Sequence, residues 1–220
     1  MNAPRQYRQH RFSLPRGGTE ILLVRHGETI PSVSGQEFDL LDGQGDPPLA
    51  PEGREQAERV AERLAGEEID AIYVTTLRRT SETAAPLAAR VGLTPIVEAD
   101  LREVHLGEWE GGRYREHVAE GHPLARELLR QQRWDVIPGA ESNEAFAARL
   151  RAGISRMAAA HHGQRIVAVA HGGTIGMILA IASGSRPFAF IGADNGSISR
   201  IVVVGETWLV RGFNEVSHLG

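Results

Sequence analysis

The chain has 220 residues and a formal net charge of −4, and 41% of its residues are hydrophobic, which suits one domain with its own core. The mild negative charge argues against a nucleic-acid-binding surface, and no apolar run is long enough to cross a bilayer. The absence of cysteine excludes disulfides, thiol catalysis and thiolate metal sites. We therefore expect a cytoplasmic protein with neither a nucleic-acid nor a membrane partner.

The segment 1–18 is polar, rich in arginine and interrupted by proline and glycine, and it has no apolar signal core. This composition predicts a flexible extension. A single domain is then expected to span residues 19–220.

Strands and helices alternate along the rest of the chain. Continuous apolar runs predict buried strands, and apolar residues spaced three and four apart predict helices. In chain order the predicted elements are strand 21–24, helix 51–65, strand 69–75, helix 79–91, a helix after the N-cap Ser142, strand 165–170, helix 174–182, and strands 197–204 and 208–213. Pro86, inside one of these helices, predicts a kink or a late start. The alternation implies a three-layer α/β/α sandwich around a mostly parallel sheet.

One stretch, residues 101–139, interrupts this alternation. We predict that it forms a small helical cap, inserted at about 108–139, over the edge of the sheet. Ligand sites of open α/β sheets lie at the carboxyl ends of the strands, so the cap would cover such a site.

Two histidines follow apolar runs in the same way. Arg25-His26-Gly27 ends the first run and offers a fixed positive charge, a nitrogen nucleophile and, at the glycine, room for a bulky anion. A phosphoryl group is the natural anion for such a site. The alternative interpretation is a strand-end histidine that only makes backbone hydrogen bonds. His171, which precedes Gly172, repeats the arrangement and favours a shared site.

With these motifs the chain resembles the histidine phosphatase superfamily, the phosphoglycerate mutase-like proteins. Six blocks occur in that family's order, and together they cover most of the chain. The blocks are Arg25-His26-Gly27-Glu28-Thr29, Gly45-Asp46-Pro47-Pro48-Leu49 with Gly53, Thr75-Thr76-Leu77-Arg78-Arg79-Thr80 with Thr83-Ala84, Leu101-Arg102-Glu103 with Gly107-Glu108-Trp109-Glu110-Gly111, Pro138-Gly139-Ala140-Glu141-Ser142, and Ala170-His171-Gly172-Gly173.

The resemblance implies catalytic roles for five residues. His26 is the residue that becomes phosphorylated, and Glu103 is the proton donor. The three remaining residues hold the phosphate and complete the pocket: Arg25, Arg79 and His171. Because the neighbours of His26 are cationic, we also expect this histidine to titrate low.

Two substrate-binding residues are added to this set. Gly172 contributes to the backbone N–H groups that would contact phosphoryl oxygens. After Thr29, the mutase-like family members usually carry an asparagine that reaches the phosphate, and Ser32 occupies roughly that place. The serine is a departure from the family pattern.

Several assignments have competitors within the sequence. Glu108 and Glu110 compete with Glu103 for the acid, and Arg79 competes with a surface role of the kind expected for Arg78. The remaining expectations are structural: Trp109 and Trp134 are expected in the core, Glu141 as a brace, and Asn195-Gly196 as a turn.

The sequence favours a phosphomonoester hydrolase that acts through a phosphohistidine on a small phosphorylated metabolite. A cofactor-dependent phosphoglycerate mutase is the alternative, but the short cap without adjacent arginines favours the hydrolase. A non-catalytic phosphate-binding module would have no use for a proton donor. No cofactor and no metal ion are expected. The natural ester and the oligomeric state stay open, although the family implies a homodimer through a sheet edge.

Overall fold

The computed structural model describes residues 6–9 and 11–220. Residues 1–5 and 10 belong to the predicted extension 1–18 and lie outside the described residues. The described part of that extension contains no helix or strand. Among the described residues, no helix combines the length and the apolar character that crossing a bilayer would require.

Eight strands occur among the described residues, six in a central sheet and two in a separate hairpin. The strands are β1 (Thr19–Arg25), β2 (Leu40–Leu41), β3 (Gln44–Gly45), β4 (Ala71–Val74), β5 (Ile96–Val97), β6 (Arg165–Ala170), β7 (Ile198–Val204) and β8 (Thr207–Glu215). The α-helices of the same residues are α1 (Pro51–Leu64), α2 (Arg78–Val91), α3 (Arg113–Ala119), α4 (Pro123–Gln131), α5 (Asn143–Ala160) and α6 (Gly172–Ser183).

The central sheet has the strand order β5-β4-β6-β1-β7-β8. Strands β5, β4, β6 and β1 run parallel to one another, whereas β7 pairs antiparallel with β1 and β8 pairs antiparallel with β7. The predicted mostly parallel sheet is confirmed. Its central strands are continuous apolar runs because helices cover both of their faces.

The two faces of β1 show how the three layers form. Leu22 and Val24 pack with residues of α1 and α2, whereas Ile21 and Leu23 pack with residues of α5 and α6. All four side chains are buried. Because successive side chains of a strand point to opposite faces, one apolar run fills both cores. The predicted α/β/α sandwich is therefore confirmed.

Most predicted elements agree with the structure to within a few residues. Helix α2 begins at Arg78 and continues through Pro86, so the expected late start is wrong. Strand β5 was missed because its two residues, Ile96 and Val97, are too few to show a period. Ser142 is the N-cap of α5, as predicted, and its Oγ accepts a hydrogen bond from the Ala145 N–H at 3.1 Å.

Helices α3 and α4 lie in the region predicted to be the cap. Trp109 and Trp134 are only 4% and 5% exposed, so the expected burial of both is confirmed. The Trp109 ring stacks on His117 and His122, with centroids 4.6 and 5.3 Å away. This aromatic cluster packs on the α5 and α6 side of the sheet and holds the cap in place.

Candidate active site

The carboxyl ends of β1 and β6 bring the two motif histidines together. Arg25 lies opposite Ala170 in the parallel register, so the residues that follow, His26 and His171, leave the sheet side by side. Their ring centroids are 5.2 Å apart. The sheet therefore places both predicted histidines at one edge.

His26 is held in one tautomer. Its Nδ1 lies 2.7 Å from the carbonyl oxygen of Gly27, which can only accept, so Nδ1 carries the proton and Nε2 keeps its lone pair. Nε2 has no hydrogen-bond partner among the described residues. Burial, followed by the charges of Arg79 and Arg25, holds the pKa of His26 well below its usual value. The expected low titration is confirmed, although burial contributes more than the cationic neighbours.

His171 is fully buried and connects two site elements. Its Nδ1 accepts from Arg79 Nε at 3.3 Å, and its Nε2 lies 3.1 Å from Thr75 Oγ1. An acceptor at Nδ1 leaves the proton on Nε2, which donates to the threonine. Burial and then the charge of Arg79 lower the pKa of His171 well below its usual value. His171 is therefore neutral in this arrangement and orients the guanidinium of Arg79.

Arg79 is a buried site residue, in contrast to its neighbour. Its Nη1 donates to the Gly45 carbonyl oxygen at 2.9 Å and lies 4.0 Å from a carboxylate oxygen of Asp46. Burial lowers the pKa of Arg79 to about 10, so it stays protonated at neutral pH. Arg78 is exposed and pairs with Glu82, which confirms the surface role expected for it.

Arg25 has a buried N–H donor without a partner among the described residues. Its Nη1 donates to the Ala193 carbonyl oxygen at 2.5 Å, but its buried Nε has no hydrogen-bond partner among the described residues. An unsatisfied buried donor is costly, and a bound anion would satisfy it. Gly172 lies against this guanidinium, because a Cβ built on it would be 3.4 Å from Arg25 Nε.

Glu103 is fixed against the start of α6. Its carboxylate accepts from the backbone N–H groups of Gly173, Thr174 and Val104 at 2.9, 2.9 and 3.0 Å. A Cβ on Gly173 would lie 2.6 Å from Glu103 Oε1, so glycine at this position allows the approach. The free N–H groups at a helix start are suited to orient a carboxylate in this way.

The two competing acids are placed differently. Glu108 is exposed. Glu110 lines the same cavity as Glu103, but its two oxygens accept from the N–H groups of Leu106 and Gly45. Glu110 therefore ties the cap to the β2–β3 hairpin.

An arginine on α5 braces the segment that carries the acid. Arg149 donates to the carbonyl oxygens of Asp100, Arg102 and Glu103 at 2.7 to 2.8 Å. It also pairs with Glu141, which has the bracing role that was predicted for it. Helix α5 thus fixes the position of the Glu103 backbone through Arg149.

A cavity of about 250 Å³ opens between this edge and the cap. Its lining includes the side chains of His26, Arg25, Arg79 and Glu103. A neighbouring cavity shares Arg25 and His26 and is lined on its far side by Ser32. Within the described residues, no cluster of three or more metal-ligating side chains occurs.

Gly27 is needed for packing, which corrects the expectation that it makes room for an anion. A Cβ on Gly27 would lie 2.3 Å from the Gly53 carbonyl oxygen, and a Cβ on Gly53 would lie 2.0 Å from the Glu28 carbonyl oxygen. The two glycines therefore let α1 pack directly on the loop that follows β1. The Gly27 N–H also donates to Thr83 Oγ1 at 2.9 Å.

Three residues have roles at the site that were not assigned from the sequence. Thr75 supports His171, and Asn195 Nδ2 donates to the His26 carbonyl oxygen at 2.9 Å, beyond the turn role expected for it. Arg115, from α3, lines both cavities. The only signal for Arg115 was that it is one of several arginines in the cap, because its position depends on how the cap packs.

A sheet edge that carries a neutral histidine, two arginines and a glutamate is a site suited to phosphoryl transfer. The model of the histidine phosphatase superfamily (branch 1) matches residues 21–216. The chain therefore belongs to this superfamily of phosphatases and mutases, and it is an enzyme. Both the family and the fold class predicted from the sequence are confirmed.

The relatives include proteins named for both activities. Phosphoglycerate mutase-like protein 4 of Arabidopsis thaliana is 38% identical over 205 residues, which cover 91% of this chain and 86% of that protein. The metal-independent phosphoserine phosphatase of the same plant is 34% identical over 206 residues, covering 91% and 83%. The structure of mycobacterial glucosyl-3-phosphoglycerate phosphatase matches with a TM-score of 0.76 at 29% identity, over 90% of this chain and 100% of that one.

Proposed function

We propose that this enzyme hydrolyses a small phosphomonoester through a phosphohistidine at His26. The observation that carries the proposal is the state of this ring, which is neutral, has its proton on Nδ1 and lines the cavity. The lone pair of Nε2 is available to attack phosphorus without prior loss of a proton. Arg25 and Arg79 flank it as fixed cations.

The two arginines bind the phosphoryl oxygens as charge redistributes in the transition state. A phosphoryl group bound between them would satisfy the unpaired Nε of Arg25 and offset the repulsion between the two guanidinium groups. Such donors stabilise a loose transition state mainly by position and charge. Removing one of them typically costs about 3 kcal/mol in the barrier.

Glu103 serves the leaving group and then water. In the first half-reaction it gives a proton to the departing alkoxide, and in the second it removes one from the attacking water. Oε1 accepts from the N–H groups of Thr174 and Val104 and from the Thr174 hydroxyl, whereas Oε2 accepts only from the Gly173 N–H among the described residues. A lone pair of Oε2 is therefore left for proton transfer.

His171 acts first as a positioning residue. Its Nδ1 accepts from Arg79, so it offers no N–H to an anion until that nitrogen gains a proton. A bound dianion favours the protonated ring. We propose that, when phosphate binds, Arg79 Nε turns from Nδ1 to a phosphoryl oxygen and Nδ1 takes up a proton from solvent, so that His171 becomes a further donor to the phosphoryl group.

Hydrolysis is favoured over mutase activity by the openness of the site. A mutase must keep water from its phosphohistidine and hold a second anionic group of its substrate. The cap consists of the short helices α3 and α4, and the two cavities beside His26 both reach solvent. Two of the relatives are named as phosphatases, which also supports hydrolysis.

The two activities can be separated in one set of assays. Release of inorganic phosphate from p-nitrophenyl phosphate and from phosphoserine is measured beside interconversion of 3- and 2-phosphoglycerate primed with the bisphosphate. The hydrolase predicts phosphate release at a rate far above interconversion. Interconversion that exceeds release would show a mutase, and phosphate affinity without turnover of any ester would show a binding module.

The intermediate has its own test. Enzyme quenched during turnover of a ³²P-labelled ester should carry acid-labile, base-stable label, and peptide mapping should place it on His26. Label on serine, or turnover that persists in His26→Ala, would refute the mechanism. A cytoplasmic location and a homodimer through a sheet edge remain predictions; sedimentation would test the second.

A further inference from the structure

Arg115 reaches from the cap to the loop that follows the candidate nucleophile. Its Nη2 donates to Thr29 Oγ1 at 2.5 Å, and its Nη1 donates to the Ile30 carbonyl oxygen at 2.9 Å. The guanidinium also lies 5.5 Å from the ring centroid of Phe38. It lines both cavities that open beside His26, so it forms part of the wall between them.

This guanidinium has no carboxylate within ion-pair distance among the described residues, whereas three other cap arginines do. Arg113 pairs with Glu37, and Arg130 and Arg133 likewise have acidic partners in their own helix or turn. Desolvation and then the charge of Arg25 lower the pKa of Arg115. Arg115 therefore faces another cation across the cavity, an arrangement that an anion would stabilise.

Two small residues allow α3 to come so near. Gly112, which precedes α3, has φ +103°, and a Cβ there would lie 3.2 Å from the Ser32 Cβ and 3.0 Å from the Phe38 ring. Ser32 itself makes no side-chain hydrogen bond within the described part of the chain and is too short to extend far into the cavity that it lines. Arg115 lines the same cavity as Ser32.

We propose that Arg115 is a third phosphate-binding arginine and a catalytic residue, delivered to the phosphoryl group by the cap. The proposal rests on the proposed phosphatase function. When substrate binds, one N–H of the guanidinium turns from Thr29 to a phosphoryl oxygen, while the hydrogen bond to Ile30 keeps the side chain in place. The cap thereby contributes charge to the transition state and links its own position to the presence of phosphate.

The competing explanation is that Arg115 only anchors the cap. Arg115→Gln decides between the two, since an amide can still donate to Thr29 and Ile30 but carries no charge. Arg115→Ala removes both functions. Arg113→Ala is the matched control, because it removes an exposed cap arginine two residues away. The double variant Arg115→Ala with Ser32→Asn replaces the lost arginine donor by an amide donor at another position in the lining of the same cavity.

Two quantities are measured for each variant: the dissociation constant of orthovanadate, and kcat/KM for p-nitrophenyl phosphate. We expect kcat/KM to fall on the order of 100-fold in both Arg115→Ala and Arg115→Gln. Vanadate affinity should fall with it, and Arg113→Ala should stay within about twofold of the wild type. Asparagine at position 32 should recover about tenfold of the loss in Arg115→Ala, which a lost anchor would not allow.

Either of two results would overturn the proposal: vanadate affinity unchanged in Arg115→Ala, or wild-type kcat/KM in Arg115→Gln. Circular dichroism and thermal unfolding check the fold of each variant. If Arg115→Ala does not fold, the same two quantities are compared in Arg115→Gln and in Arg115→Gln with Ser32→Asn, and they distinguish a phosphate contact from an anchor in the same way. A wild type that binds vanadate but hydrolyses no ester would refute the phosphatase function, while the vanadate affinities would still decide the role of Arg115.

Discussion

The sheet edge and the cap contribute to the same cavity but hold their side chains in different ways. At the edge, His26, His171 and Arg79 are nearly or fully buried, and each is fixed by a hydrogen bond to the backbone or to another site residue. In the cap, Arg115 is exposed and comes from a helix of seven residues. The difference suggests that the edge holds its reacting groups in place before the ester binds, whereas the cap selects the ester and brings Arg115 to it.

The aromatic residues of the cap extend this contrast. Trp109 and Trp134 are buried in the core, yet they also form part of the cavity wall together with Tyr114. An apolar wall opposite a cationic floor suits an ester with a charged phosphate and a less polar leaving group. The edge is therefore expected to tolerate few substitutions, whereas substitutions in the cap should change substrate preference.

The largest effect is expected from removing the acid at the edge. Glu103→Gln should lower kcat/KM, which covers only the steps up to the phosphohistidine, by about 1,000-fold for phosphoserine, whose alkoxide leaving group needs a proton. The loss of kcat/KM should be only about tenfold for p-nitrophenyl phosphate, because nitrophenolate leaves without a proton. Steady-state kinetics on both esters test this, with the exposed Glu108→Gln as the control. Equal losses of kcat/KM on the two esters would show that Glu103 is not a proton donor.

A second prediction concerns the rigidity of the edge. Gly27→Ala would place a Cβ 2.3 Å from the carbonyl oxygen of Gly53, and a backbone atom in α1 cannot move away easily. We expect the free energy of unfolding to fall by about 3 kcal/mol. Gly66→Ala is the control, because nothing lies within 4 Å of its Cβ position. Urea denaturation measures the free energy of unfolding of both variants. A value for Gly27→Ala equal to that of the wild type would show that α1 packs less tightly against this loop than described.

The third prediction uses pH. His26 and His171 have pKa values well below 6.5 in the folded protein, because burial disfavours their charged forms. In the unfolded chain they titrate near 6.5, so the unfolded state binds more protons below this pH. The free energy of unfolding is therefore expected to fall as pH drops from 6.5. The slope should approach about 1.4 kcal/mol per pH unit for each histidine.

Urea denaturation between pH 7.5 and pH 5.5 measures this slope above the range in which ordinary carboxylates titrate. His26→Asn should lower this slope by the contribution of one histidine, about 1.4 kcal/mol per pH unit. If the variant and the wild type show the same slope, His26 is not the buried neutral group that the structure indicates.

The edge could be predicted from sequence because its geometry follows from local patterns. Continuous apolar runs fix the central strands, and parallel strands end at the same edge, so Arg25, His26 and His171 had to meet. The reason for Gly27 could not be predicted, since it depends on Gly53, which approaches only after α1 has packed.

The cap was predictable only as an interruption of the alternating pattern. Its arginines are similar in sequence, and only the packed structure shows that Arg115, unlike Arg113, lies over the site. The contact of Asn195 with the His26 carbonyl likewise joins residues far apart in the chain. Such contacts depend on tertiary packing, which leaves no periodic pattern in the sequence.

The smallest effect is expected in the cap and would sharpen the comparison with the edge. Tyr114 lines the cavity, and its ring centroid lies 6.1 Å from that of Trp134. Tyr114→Ala should raise KM for p-nitrophenyl phosphate about fivefold, because contact with the aryl group is lost, but it should leave KM for phosphoserine nearly unchanged. Vanadate affinity should not change, because the proposed phosphate contacts come from the edge and from Arg115 and not from Tyr114. Leu129→Ala, at an exposed position of α4, is the control. A fall in vanadate affinity in Tyr114→Ala would mean that the apolar wall supports the phosphate as well as the leaving group.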